Sequence, residues 1–255
     1  MAHQYAQPPI VEAICEFRFT ADQEWDLTVP GLVYGEIKDE FPVKRTRENY
    51  EVGLAKPKTD EEPLGFRGQV SQWMQCVRED ESALIQVGPH LLTVNQVGAY
   101  PGWPDVSAMI ARGLEAYRTV ATPKSLQRIG LRYINRLEFP ETASEEIQIS
   151  RYLHVGPRIP EGLPTAIASW AQKVEIPYPE KNGMLALQTG SLREEKHFFM
   201  LDLDFRTLDA GEMTIDDALT WVDGAHAVVE DSFEACITDD TRELFVEKDH
   251  DRRKA

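Results

Sequence analysis

The chain has 255 residues, 42% of them hydrophobic, which is enough to bury one large core or two modest cores that share an interface. Its 43 acidic residues outnumber 27 lysines and arginines, giving a formal charge of -16. That balance excludes a surface that neutralises phosphates throughout, so any nucleic-acid contact needs a local basic face.

Cys15, Cys76 and Cys236 are far apart, odd in number and without the spacing of a zinc site, so they read as buried free thiols. The start, MAHQYAQPPI, has no basic stretch followed by an apolar segment, and no run is long enough to span a bilayer. A reducing cytoplasm and no membrane contact are expected.

In chain order, IVEAICEFRF alternates as a strand, with Val11, Ala13, Cys15, Phe17 and Phe19 on its apolar face. TVPGLVYGEIKDEFP predicts a short helix: Pro30 suits a first turn, and Leu32, Val33, Ile37 and Phe41 form a stripe that Pro42 ends. The charged stretch from Val43 to Pro63, with KPKTDEEP, reads as a loop or hairpin tip. FRGQVSQWMQCVRED and ALIQVGPHLLTVNQV supply three strand-like runs joined by turns at Arg78 to Ser82 and at Gly88-Pro89, an antiparallel meander.

A helix follows in YPGWPDVSAMIARGLEAYRTV, capped by Asp105 or Ser107, with Val106, Ile110, Leu114 and Tyr117 on its buried face. RIGLRYINRLEFP is the next strand. The Gly and Pro density of ISRYLHVGPRIPEGLP marks a boundary. Strands are expected in SWAQKVEIPYP, GMLALQTGSLR and KHFFMLDLDFRTL. A long amphipathic helix runs from Thr214 to about Ile237, with Thr214 and Asp217 as a capping box and Ile215, Leu219, Val222, His226, Val229 and Phe233 along one stripe. The fold class is therefore α+β, with antiparallel sheet in two loosely similar lobes closed by a long C-terminal helix. The lobes are placed at 1–145 and 146–247, with a polar tail at 248–255.

PPIVEAICEFRF, VGPHLLTVNQ, LRYINRLEFP and the Trp221–His226 pair of the closing helix, in this order, resemble a sporadically distributed bacterial family of similar length and uncharacterised activity. The resemblance covers nearly the whole chain. It implies a bacterial source and a single unit of shared architecture, and it carries over no catalytic residues. Its patchy distribution is similar to that of genes of defence islands, toxin systems and mobile elements.

Several constellations could carry function. Arg128, Arg132 and Arg136 share one strand face at intervals of roughly 13 Å. They could grip a phosphate-bearing ligand or an RNA strand, or they could be matched across the sheet by Glu12, Glu16, Asp202 and Asp204. Asn135 falls on the opposite, apolar side, as a buried hydrogen-bonder or a break in the strand. Asp202 and Asp204 are weak candidates for a metal pair, since no third acid is visible beside them. His226 reads as a core-edge histidine hydrogen-bonded to the sheet. Tyr100 and Trp103, in GAYPGWP, are either binding anchors or plugs at a helix start. Between Asp209 and Glu247 there are 12 acids and one base, Arg242. Glu230, Asp231, Glu234, Asp239 and Asp240 are the candidate contacts there for a basic partner.

No nucleotide loop, nucleophile elbow, zinc pattern or flavin fingerprint occurs, and neither cofactor nor catalytic residue is assigned. The expected function is non-enzymatic: a protein-binding subunit or regulator, of antitoxin or antiviral-defence type, that docks a basic partner on its acidic C-terminal helix. The alternative is a phosphate-ligand or RNA-binding protein that uses the arginine strand, with Tyr100 and Trp103.

Overall fold

A computed structural model describes residues 5–20, 24–55, 65–139, 149–164, 167–191, 198–211 and 213–245, with backbone only for 49–55 and 65–71. In chain order the elements are β1 (Ile10–Phe19), α1 (Val29–Ile37), β2 (Val43–Ala55), β3 (Gly65–Val77), β4 (Ala83–Gly88), β5 (Leu91–Val97), α2 (Trp103–Ala121) and β6 (Leu126–Glu138). There follow α3 (Ile149–Tyr152), β7 (Trp170–Tyr178), β8 (Gly183–Ser191), β9 (Phe198–Thr207), α4 (Ala218–Cys236) and α5 (Asp239–Arg242). The class is mixed α and β with a large antiparallel sheet and a C-terminal helix, as the sequence predicts.

All nine strands join one antiparallel sheet in the order β2-β3-β4-β5-β1-β6-β9-β8-β7. The predicted boundary near residue 146 does not interrupt it. β6, from before that boundary, pairs with β1 on one side and with β9, from after it, on the other. No described helix is long and apolar enough to cross a membrane.

One face of the sheet carries the core, because alternation sends Ala13, Cys15, Phe17 and Phe19 of β1 and Ile129, Leu131, Tyr133 and Leu137 of β6 to the same side. The helices cover this side. Tyr117 of α2 stacks on Phe19 at 4.6 Å, and Trp221 of α4 stacks on Phe205 of β9 at 5.5 Å. The three thiols are buried and free, and burial pushes those of Cys76 and Cys236 up to about 11.

Several local expectations need correction. Residues 43–55, read as a loop or hairpin tip, form a full strand paired along its length with β3. As the edge of the sheet, β2 tolerates the charges that argued against it. Lys56 to Pro63 lie outside the described residues, as does the expected tail at 248–255. α1 ends at Ile37, and Leu32 is exposed while Val29 joins Val33 and Ile37 in the buried face.

The N-cap of α2 is Gly102, not Asp105 or Ser107, because Pro104 takes the first turn and starts the helix earlier. α4 starts at Ala218. Its expected capping pair does form in the turn before it: Thr214 donates to Asp217 at 2.5 Å and accepts from the Asp217 N–H at 3.2 Å.

Candidate functional site

The sheet face turned away from the core is polar, and it is assembled strand by strand. Glu12, Glu16 and Arg18 of β1, Arg128, Arg132 and Arg136 of β6, and Asp202, Asp204 and Arg206 of β9 all lie on it by alternation. Arg132 donates to Asp202 through Nε at 2.8 Å and Nη2 at 2.6 Å, a bidentate fork. Gln188 of β8 donates to the same carboxylate at 3.3 Å. Arg128 and Arg206 approach Asp204 at 3.9 and 3.6 Å, and Arg206 also binds Glu175 of β7 at 2.7 Å. Arg136 pairs with Glu138 at 2.8 Å and lies over the Phe198 ring at 4.1 Å.

Burial raises the Asp204 carboxyl despite its three arginine neighbours, whereas the hydrogen bond from Arg132 to Asp202 raises the Arg132 guanidinium. Asp202 and Asp204 therefore both answer guanidiniums. Among the described residues, no group of three or more His, Cys, Asp or Glu is placed to hold a metal.

On the β1 side the same face carries an amide relay. Gln75 donates to Gln86 at 2.8 Å, Gln86 to Asn95 at 3.1 Å, and Asn95 to the Glu12 carboxylate at 2.7 Å, crossing β3, β4, β5 and β1. No local motif announced this chain. It depends on register between strands, although the even spacing of Gln86 from Leu84 and of Asn95 from Thr93 was there to be read. Asn135, on the core side, is 2% exposed and donates to the Leu201 carbonyl at 3.0 Å. It is the buried hydrogen-bonder of the two options.

Tyr100, Trp103 and His226 meet on the core side. The Tyr133 hydroxyl lies 2.9 Å from that of Tyr100 and 3.2 Å from His226 Nδ1, and Trp103 stacks on the imidazole at 4.1 Å. Trp103 also donates to Asp223 at 3.2 Å. Desolvation lowers His226 to about 4, against the pull of Asp223, so the ring is neutral near pH 7 and can accept from Tyr133. The two aromatics of GAYPGWP thus lock the start of α2 to β6 and α4.

The five acids named for partner contact differ in their surroundings. Glu234 accepts from Tyr5 at 2.6 Å and from Arg242 at 2.9 Å. Asp239 accepts from Arg242 at 2.6 Å, and Asp240 from Arg151 at 2.6 Å. Glu230 is half-buried, and its charge acts on Tyr100 and Tyr133. Asp231 is exposed on an outward stripe of α4 with Thr220, Gly224, Ala227 and Ala235, flanked by the exposed Asp223. Asp223 and Glu243 were not singled out by sequence, although both are exposed and acidic.

No protein-family model matches the chain, and no match is found among curated proteins.

Proposed function

We propose that the protein acts by binding, as a non-enzymatic subunit or regulator whose partner is a protein with a basic surface. The observation that carries this reading is the outward stripe of α4, where small side chains surround the exposed Asp231 and the exposed Asp223 flanks them. Residues 213–245 hold nine acids and one arginine. Among the acids of this segment, Arg242 pairs with Glu234 and Asp239, and Arg151 pairs with Asp240. Asp223, Asp231 and Glu243 face solvent, and a partner helix can approach closely over Gly224, Ala227 and Ala235. A toxin or nuclease held in check, or a larger defence assembly, is the class of partner proposed, in a bacterial cytoplasm.

We also read residues 1–145 and 146–247 as two loosely similar lobes that share the sheet, with α4 closing the second. The order short helix, meander, long helix occurs in each, as α1, β2 to β5 and α2 in the first and α3, β7 to β9 and α4 in the second.

The arginine strand supports the phosphate or RNA reading less well, because its charges are matched on the same face by carboxylates. The test is mass determination of the protein purified gently from its host, followed by the Asp223→Lys, Asp231→Lys, Glu243→Lys triple variant. A stoichiometric basic protein, lost in the variant and released by salt, is the expected result. A nucleic acid or phosphate-bearing molecule retained through the variant overturns it.

A further inference from the structure

We propose that the free edge of the sheet at β7 pairs with β7 of a second copy of this chain, antiparallel about a two-fold axis through Val174. β7 ends the sheet, and among the described residues no backbone hydrogen bond reaches it from an element other than β8. An edge strand presents N–H and C=O groups without partners, so it accepts a further strand unless its side chains forbid one. This surface lies two strands beyond β9, on which α4 packs, and it is independent of the acidic stripe.

The sequence of β7 is matched to itself. Pairing two copies antiparallel about an axis perpendicular to the sheet keeps both cores on one side, so each register must centre on a residue. Centred on Val174, the nine residues Trp170–Tyr178 pair from end to end, with Trp170 opposite Tyr178 of the second copy and Lys173 opposite its Glu175. Both charges lie on the polar face, 3.2 Å apart within one strand, and both side chains are about half exposed. Moving the centre by one residue sets Lys173 against Lys173 or Glu175 against Glu175. The register with attraction is therefore the one that uses the whole strand.

The other face supplies the apolar part. Val174 and Ile176 lie opposite Leu187 and Leu185 of β8, which are 7% and 1% exposed, yet they are themselves 38% and 37% exposed. The core thus runs out to the edge and is left open there. In the paired sheet Val174 meets its own copy, and Ile176 of each chain lies diagonal to Val174 of the other, which covers all four. Charge favours this edge as well. Residues 170–181 hold two lysines and two glutamates, so β7 and the turn after it are neutral in a chain of -16. β2, the opposite edge, is unsuited, because Lys44, Arg45 and Arg47 set cation opposite cation in any register centred among them. Pro177, which has no N–H, falls opposite Ala171 near the end of the pairing, where its loss matters least.

The test is sedimentation equilibrium of the full chain from micromolar to several hundred micromolar. A mass rising from 29.0 kDa toward twice that value is expected. Lys173→Glu sets glutamate against glutamate at two symmetric places and should weaken the dimer about tenfold or more. Lys173→Glu combined with Glu175→Lys should restore it. Both positions are exposed, so circular dichroism should report an unchanged fold. Val174→Cys reads the register. It sits on the axis and the native thiols are buried, so mild oxidation should link it to its own copy faster than Ile176→Cys, which faces Gln172. A chain that stays monomeric throughout, a dimer unaffected by Lys173→Glu or not recovered in the double variant, or equal linking at the two cysteine variants overturns the proposal.

Discussion

Arg132 and Asp202 face each other diagonally across β6 and β9 in a two-pronged pair, with the arginine side chain 41% exposed and the aspartate 12%. This unequal burial predicts unequal mutants. Removing the guanidinium in Arg132→Met leaves a nearly buried carboxylate with Gln188 as its remaining hydrogen-bond donor among the described residues, and should cost about 1–3 kcal/mol. Asp202→Asn leaves a cation that can turn to water, and should cost less, about 1 kcal/mol. Urea unfolding of both single variants and the double variant checks this. Equal losses, or additivity in the double variant, would show that the pair contributes no coupling.

Acid should weaken the protein through His226. Its folded pKa of about 4 lies below the ordinary 6.5, so between those values the unfolded chain binds more protons than the native one. Stability from this group is therefore complete above pH 6.5 and is lost as pH falls toward 4. Discounted for its partial exposure, the loss amounts to about 1–2 kcal/mol. His226→Phe keeps an aromatic ring against Trp103 and should flatten the fall in thermal midpoint between pH 6.5 and 4.5. An unchanged slope would place the acid sensitivity in the carboxylates.

Tyr133→Phe tests the other end of that contact. The hydroxyl it removes lies between Tyr100 and His226, so both lose a partner in the core, at a cost of about 1–3 kcal/mol. Tyr100→Phe breaks only one of the two contacts and should cost less. The ranking of the two variants by denaturant midpoint is the measurement.

What sequence conveyed here, and what it could not, divides along the range of the interactions. Period-two alternation placed Arg128, Arg132 and Arg136 on one face and Ile129, Leu131 and Tyr133 on the other, since that pattern is a local property of a strand. It even marked Asn135 as anomalous. The partner of each arginine was only partly legible. Asp202 and Asp204, offered with Glu12 and Glu16 as an unassigned set of partners, do meet Arg132 and Arg128, but Arg136 pairs with Glu138 of its own strand, and Glu12 accepts a hydrogen bond from Asn95. Register sets those choices, and register is a property of the folded sheet. The acids of the C-terminus show the same limit more sharply. Nothing near Glu234 announces Tyr5, 229 residues away, so solvation could not be read from composition. The strand at 43–55 was missed because an edge strand wears the charges of a loop.

Gly183, at the start of β8, sits against Phe205. A Cβ added there would come within 1.9 Å of Phe205 Cζ, and the ring is held by Trp221 at 5.5 Å and Tyr178 at 5.6 Å. Gly183→Ala must therefore displace a packed aromatic, and should destabilise the protein by about 2–4 kcal/mol. Phe205→Leu in the same chain should recover part of that loss, although alone it is destabilising. Failure of the double variant to exceed Gly183→Ala in denaturant midpoint would locate the cost in the backbone.

The thiols give a measure of how tightly the core excludes reagents. Cys15, Cys76 and Cys236 are 1, 0 and 5% exposed, and burial holds the latter two near 11, with Cys15 raised further. A thiol reacts as its thiolate, and raising its pKa from about 8.5 to 11 lowers the thiolate fraction at pH 8 by roughly 200-fold before access is considered. In the native protein none should react with a disulfide reagent on the minute scale, and in concentrated urea all three should react at once. A single fast thiol in native buffer would mean that one segment opens locally, and its identity would say where. Cys236 closes α4 and its carbonyl accepts from His154 at 2.8 Å. Fast labelling there would therefore point to detachment of the last turn of α4 from the chain after α3, without unfolding of the sheet beneath.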